Sequence, residues 1–244
     1  MEALLTPICG GDSRIKVLDL AGTNLSTVDL VLLARAVTKL EGLGLMQTVL
    51  VRQQTPGRHK TVEAIFSAVC ATDSKLKYLD LGMHQDFGPD EDLVNIVLMA
   101  RAFKRLEKVV MTDKEPLPLQ HWEAIFTEIS APDSKLKVLD LQGSKLSGLD
   151  KELLARALNN LEEVNLKHTQ FSKLNVEAVL QRSLVKTSLK RMVLGHIGNK
   201  LANFELDEEL LLRSKLFINE IMIGCTCQGI TGCVNDKDEN EDEN

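Results

Sequence analysis

The sequence predicts an α/β solenoid in which short parallel strands line a concave sheet and helices cover the convex side. Three observations carry this. An eight-residue phrase occurs three times, as SRIKVLDL from Ser13, SKLKYLDL from Ser74 and SKLKVLDL from Ser134, at intervals of 61 and 60 residues. Weaker copies fall about halfway between them. Apolar residues also switch from a spacing of two inside each phrase to a helical spacing between phrases. A period this long marks stacked units rather than one central core.

The intermediate copies are KLEGLGL from Lys39, RLEKVVM from Arg105, NLEEVNL from Asn160 and SLKRMVL from Ser188, with INEIMI from Ile218 as the last. The first apolar positions of all copies are Ile15, Leu40, Leu76, Leu106, Leu136, Leu161, Leu189 and Ile218, so about eight strands are expected. Each unit reads L-x-x-L-x-L, as in Leu136, Leu139 and Leu141. Its last two leucines lie two apart, the spacing of a strand that buries one face and shows the other. Between strands, one helix class reads LLARAV, LMARAF and LLARAL from Leu32, Leu98 and Leu153. A second reads VEAIFSAV, WEAIFTEI and VEAVLQRS from Val62, Trp122 and Val176. Their apolar residues recur at i, i+3, i+4 and i+7, a stripe that lies on the sheet. Trp122, at the start of its helix, is read as a packing residue.

Strand, helix, strand in this rhythm implies parallel strands joined by right-handed crossovers. Parallel strands stack about 4.8 Å apart, whereas packed helices need about 8–10 Å. Stacking both in register bends the array into a horseshoe with the helices outside. The opening segment MEALLTPICGGDSRIKVLDL aligns without gaps on VEAIFSAVCATDSKLKYLDL. The chain is therefore expected to begin inside a repeat, at its helix, and either this helix is itself the cap or the chain is a piece of a longer array. Cys9 and Cys70 fall at equivalent positions and are expected to be small buried fillers.

These features together resemble leucine-rich repeats, in the ribonuclease-inhibitor-like class also found in NLR-type receptors. The resemblance covers residues 1–224, leaving 225–244 as a cysteine-containing segment with an acidic tail. It implies a protein-binding scaffold, without saying for what partner. There is one departure. The family places Asn or Cys eight residues after the first leucine, where this chain has Thr23, Thr48, His84, Lys114, Ser144, Thr169 and Ile197. Thr and Ser can bond the turn backbone. Lys114 and Ile197 cannot do so in the same way, so irregular loops are expected after the fourth and seventh strands.

Composition narrows the function. Net charge is −6, and Asp236 to Asn244 hold six acids and one base, a net of −5 that leaves about −1 for the rest. A near-neutral body has no basic surplus for phosphates, which argues against nucleic acid. No run of apolar residues is long enough to span a membrane, and the start lacks a secretory pattern. Five cysteines, unevenly placed, do not make a disulfide framework, so a cytoplasmic or nuclear setting is expected. Cys225, Cys227 and Cys233 fall short of a zinc set. No hydrolase or phosphate-loop motif occurs. Neither catalysis, cofactor nor metal is expected.

The candidate site is the concave face, on residues that flank the buried leucines: Val17, Asp19, Met46, Tyr78, Asp80, Lys108, Val110, Val138, Asp140, Glu163 and Asn165. Asp19, Asp80 and Asp140 come from alternate units and should align along the sheet, beside an exposed apolar row of Val17, Tyr78 and Val138. Such a strip suits a protein partner with basic and apolar groups. As surface groups, Asp80 and Asp140 should be replaceable by Lys with thermal unfolding nearly unchanged but capture of the partner abolished. Two other readings share the fold, a ligand-sensing fragment of a larger NLR-like receptor and an acidic-tailed chaperone for basic proteins such as histones. The oligomeric state is left open.

Overall fold

The structure is a computed structural model that describes residues 1–10, 13–25, 27–48, 60–82, 93–112, 117–144, 146, 148–169, 173–185, 187–194 and 208–223. Among these, eight helices alternate with eight strands: α1 (Glu2–Cys9), β1 (Val17–Asp19), α2 (Leu30–Lys39), β2 (Gly42–Gly44), α3 (Lys60–Cys70), β3 (Tyr78–Asp80), α4 (Leu93–Arg105) and β4 (Lys108–Val110), then α5 (Leu119–Ile129), β5 (Val138–Asp140), α6 (Lys151–Leu158), β6 (Glu163–Asn165), α7 (Lys173–Ser183), β7 (Arg191–Leu194), α8 (Glu208–Ser214) and β8 (Glu220–Ile223). The strands form one open parallel sheet in sequential order from β1 to β8. This is the horseshoe-like α/β solenoid that the repeat predicts. No described helix is long and apolar enough to cross a membrane.

The leucine pattern explains the layers. The middle residues Leu18, Leu43, Leu79, Val109, Leu139, Val164 and Met192 are buried beneath the sheet. So are the residues two further on, from Leu20 and Leu45 through Leu166 and Leu194. The first apolar position of each unit is buried as well, with Ile15 as the exception at 40% exposure. Ile15 precedes β1, whose outer edge pairs with no described strand. Facing helices supply the other half of the core. Trp122 is fully buried against Phe126, with ring centroids 6.0 Å apart, as expected of a packing residue. Cys9 and Cys70 are half-buried rather than buried, and each thiol points to a carbonyl of the next helix, Leu32 at 3.5 Å and Leu98 at 3.9 Å.

Polar side chains join neighbouring units where backbone groups would otherwise go unpaired. The Arg105 guanidinium donates to the carbonyls of Cys70 and Ala71 at 2.8 and 3.2 Å, and Asn160 Nδ2 donates to Ser130 at 3.1 Å. Both satisfy carbonyls at a preceding helix end. The Thr48 hydroxyl donates to the Leu20 carbonyl at 2.9 Å and that of Thr169 to Leu141 at 3.1 Å, each reaching back one unit. Thr23 donates to Leu20 within its own unit at 2.7 Å. Threonine thus does the turn-bonding job expected of it. Serine does not, since the buried Ser144 hydroxyl has no partner among the described residues. His84, Lys114, Ile197 and the loops expected to be irregular lie outside the described residues, as does the segment 225–244.

The residue preceding each of the first seven strands alternates in charge along the sheet: Lys16, Glu41, Lys77, Glu107, Lys137, Glu162, Lys190, with neutral Asn219 before β8. Lys16 meets Glu41 at 2.9 Å, Lys77 meets Glu107 at 3.6 Å, and Glu162 is held by Lys190 at 2.6 Å and Lys137 at 3.2 Å. Lys16 first, with Lys77 and Lys75 assisting, holds the Glu41 carboxyl below its ordinary range. Lys190 and then Lys137 do the same to Glu162. Each exposed pair contributes little, but the alternation keeps like charges off adjacent strands, where they would repel.

Four strands are followed, three residues after their last, by a left-handed backbone position: Gly22, Gln47, Gly143 and His168, with φ of 68°, 54°, 87° and 59°. After β3 the left-handed residue comes one position earlier, at Gly82 with φ 55°. A Cβ there would meet Met46 Cα at 2.4 Å, whereas one on Gly22 would meet nothing within 4 Å. Gly22→Ala is therefore expected to cost about 1 kcal/mol from backbone strain alone. Gly82→Ala adds a backbone clash and should cost at least about 2 kcal/mol. Equal shifts in urea denaturation midpoints for the two variants would contradict this account.

Candidate functional site

One-to-one pairing of the strands lays out the concave wall in two rows. The first is Val17, Gly42, Tyr78, Lys108, Val138, Glu163, Arg191 and Glu220. The second is Asp19, Gly44, Asp80, Val110, Asp140, Asn165, Val193 and Met222. The aspartates from β1, β3 and β5 thus share one row, as the repeat predicts, with Gly44 and Val110 between them. Of the eleven candidate residues, ten lie in these rows. Met46 lies beyond them in the turn after β2, 44% exposed and packed against Gly82.

The apolar row needs correction. Val17 is bare at 63% exposure, but Tyr78 and Val138 are half-buried. Glycine at the neighbouring strand is the cause for Tyr78. A Cβ on Gly42 would lie 3.3 Å from both Tyr78 Cδ1 and Val17 Cγ2, so these two side chains close over the bare backbone of β2 as a single apolar pad. Gly44 has the same effect in the second row, where a Cβ would fall 2.7 Å from Asp19 Oδ1. Gly42 and Gly44 shape the wall without being candidates themselves. The signal was available in KLEGLGL, where glycines replace both wall-facing side chains of the repeat.

The aspartates also need correction, because they are not loose surface groups. Asp19 Oδ1 accepts the backbone N–H of Ala21 at 2.9 Å, Asp80 Oδ1 that of Gly82 at 2.9 Å, and Asp140 Oδ1 that of Gln142 at 3.1 Å. Asn165 Oδ1 does the same for Lys167 at 3.1 Å. Each pins the turn that leaves its strand. The second oxygens of two are engaged by neutral donors: Tyr78 OH reaches Asp80 Oδ2 at 3.1 Å, and Asn165 Nδ2 reaches Asp140 Oδ2 at 2.9 Å. Replacement of Asp80 or Asp140 by Lys would remove the turn acceptor and should lower stability rather than leave it unchanged.

The charge of the row nevertheless remains. Among the described residues, none of the three aspartates forms an ion pair with Lys or Arg. Burial first, and then Asp80, push the Tyr78 phenol from its ordinary 10 up to about 12, with Asp19 and Asp140 adding to the effect. Lys108 places its ammonium 5.2 Å from the centre of the Tyr78 ring.

Beyond β5 the wall changes character. Arg191 Nε donates to Glu220 at 2.8 Å and its guanidinium lies 3.9 Å from Glu163, so Glu163 is a member of an ion-pair cluster. Asn165 spends both ends of its amide inside the wall and serves to position Asp140. A depression of about 270 Å³ opens here, with Val138, Val193 and Met222 among its lining. Among the described residues no three His, Cys, Asp or Glu side chains cluster as a metal site would require. No family model matches the chain, and no curated protein matches it.

Two outcomes follow. Asp80→Asn keeps a side-chain oxygen for the turn, as Asn165 does natively, and should leave stability within about 0.5 kcal/mol, while Asp80→Ala strands the Gly82 N–H and should cost about 1–2 kcal/mol. Equal costs in urea denaturation would refute the turn-pinning role. Tyr78 is the only tyrosine, so phenolate absorbance reports it alone. The native state keeps its proton where the unfolded chain has lost it. The resulting stabilisation is therefore whole below about pH 10 and is lost as pH rises toward 12. A native titration midpoint near 10 would count against the buried, acid-flanked phenol.

Proposed function

We propose that this chain is a leucine-rich-repeat protein of the ribonuclease-inhibitor-like class that docks a partner protein on its concave sheet face, without catalysis. The L-x-x-L-x-L units on a sequential parallel sheet with convex helices support the class. One observation supports the docking role most: Asp19, Asp80 and Asp140 lie in register without internal counterions among the described residues, beside Val17, Tyr78 and Val138. Other acids, such as Glu41, Glu128, Asp133, Glu162 and Glu220, are neutralised in place by Lys or Arg. An uncompensated row speeds encounter with a basic partner and sets its orientation. The adjoining apolar pad gains from the water it releases on contact. The partner therefore presents basic and apolar groups together.

Charge can be removed from this wall without breaking its turns. The immobilised wild-type protein is compared in native lysate with Asp80→Asn/Asp140→Asn and with Glu63→Gln/Glu123→Gln, which makes the same charge change at exposed positions of the convex helices α3 and α5. A protein held by the wild type and by the convex variant should fall roughly tenfold with the concave variant. Equal retention by all three would remove the concave face as the docking surface.

A further inference from the structure

Resting on the reading of this wall as a docking face, we infer that its occupant is an extended segment with a basic residue at every third position, the next third position being apolar. The second row dictates the spacing. Asp19, Asp80 and Asp140 stand on β1, β3 and β5, while the strands between present uncharged Gly44 and Val110. The charge therefore recurs every second strand, about 9.6 Å at the backbone. Curvature brings the side-chain tips on the concave side somewhat closer than that.

A polyproline II chain rises about 3.1 Å per residue with three residues per turn, so its side chains return to one face about every 9.3 Å. A β-strand returns to one face about every 6.6 Å, which is too short. An α-helix does so near i+7, about 10.5 Å, which overshoots a distance that curvature has already shortened. Only the three-residue repeat matches the row.

The chemistry of the wall agrees with that register. Asp80 and Asp140 already hold neutral donors, but a carboxylate offers further acceptor sites to a charged one. Val17 and Tyr78 lie alongside to receive the aliphatic stems of Lys or Arg. That the Tyr78 ring tolerates an ammonium is visible in Lys108, 5.2 Å from its centre. On the next odd strand, β7, the row presents Val193 instead of an acid, and the depression that opens there joins Val138, Val193 and Met222 to the charged Lys108, Lys167, Arg191, Asp140 and Glu163. A basic residue would find no carboxylate partner in this row at β7, whereas an apolar one would be covered.

The test titrates the full chain with fluorescein-labelled peptides carrying three lysines and one leucine at every third position, in both sequence orders. Controls of the same composition space these residues by two or by four. The three-spaced peptide, in one order, should bind roughly tenfold tighter than either control at low salt. Its affinity should drop about fivefold with Asp80→Asn and again with Asp140→Asn, and should hold with Glu63→Gln/Glu123→Gln. Equal binding by all spacings, tighter binding by a control, or no binding at all would overturn the inference. If lysate capture still depends on Asp80 and Asp140 while the peptides show no such preference, the docking face stands and the three-residue register falls. If capture is indifferent to those aspartates, both fall.

Discussion

Parallel strands of three or four residues, paired one to one across seven interfaces, leave no slack between units. A slip of one residue toward the next position would turn Leu18, Leu79 or Leu139 out of the core and Asp19, Asp80 or Asp140 into it. Emptying one such position to alanine costs about 2–5 kcal/mol in a packed interior. The register therefore follows from hydrophobic burial, and the wall's two rows follow from the register. Side chains that never touch in sequence become neighbours because the leucines between them are held underneath.

The same constraint shows why the aspartates serve two purposes at once. A strand this short ends abruptly, and the turn that follows needs an acceptor for its second amide. Asp19, Asp80, Asp140 and Asn165 each provide one from the last strand position. Gly44, Val110 and Val193, at the same position of the row, carry no carboxylate or amide. The acidic spacing on the wall is thus tied to the alternation of two unit types, one with an Asp-pinned turn in three of its four copies. Local turn chemistry and the surface charge pattern cannot be varied independently.

Much of this was legible in the letters. The 60-residue period, the switch between two kinds of apolar spacing and the alignment of LDL phrases predict strands, order and the row of acids. The fine structure was not legible. L-D-L reads the same whether its carboxylate faces solvent or closes a turn, because the receiving amide of Ala21, Gly82 or Gln142 leaves no mark in sequence. Tyr78 is exposed by position alone, and only the close approach permitted by Gly42 tucks it against Val17. Thr48 and Thr169 bond the turn backbone as their chemistry predicts, yet the acceptor each finds, a carbonyl one unit back, depends on stacking distance. Ser144 shows that chemistry alone is insufficient, since its hydroxyl is left without a described acceptor.

The alternating Lys and Glu residues at the strand entrances have a consequence for how such a chain can change length. Removing any one of the second to sixth units would set lysine against lysine or glutamate against glutamate, and would also join two units of the same helix class. Removing or duplicating two together restores both patterns at once. Growth and loss in this lineage should accordingly proceed by doublets, which makes the two-unit segment of about 60 residues, rather than the single strand and helix, the heritable building block.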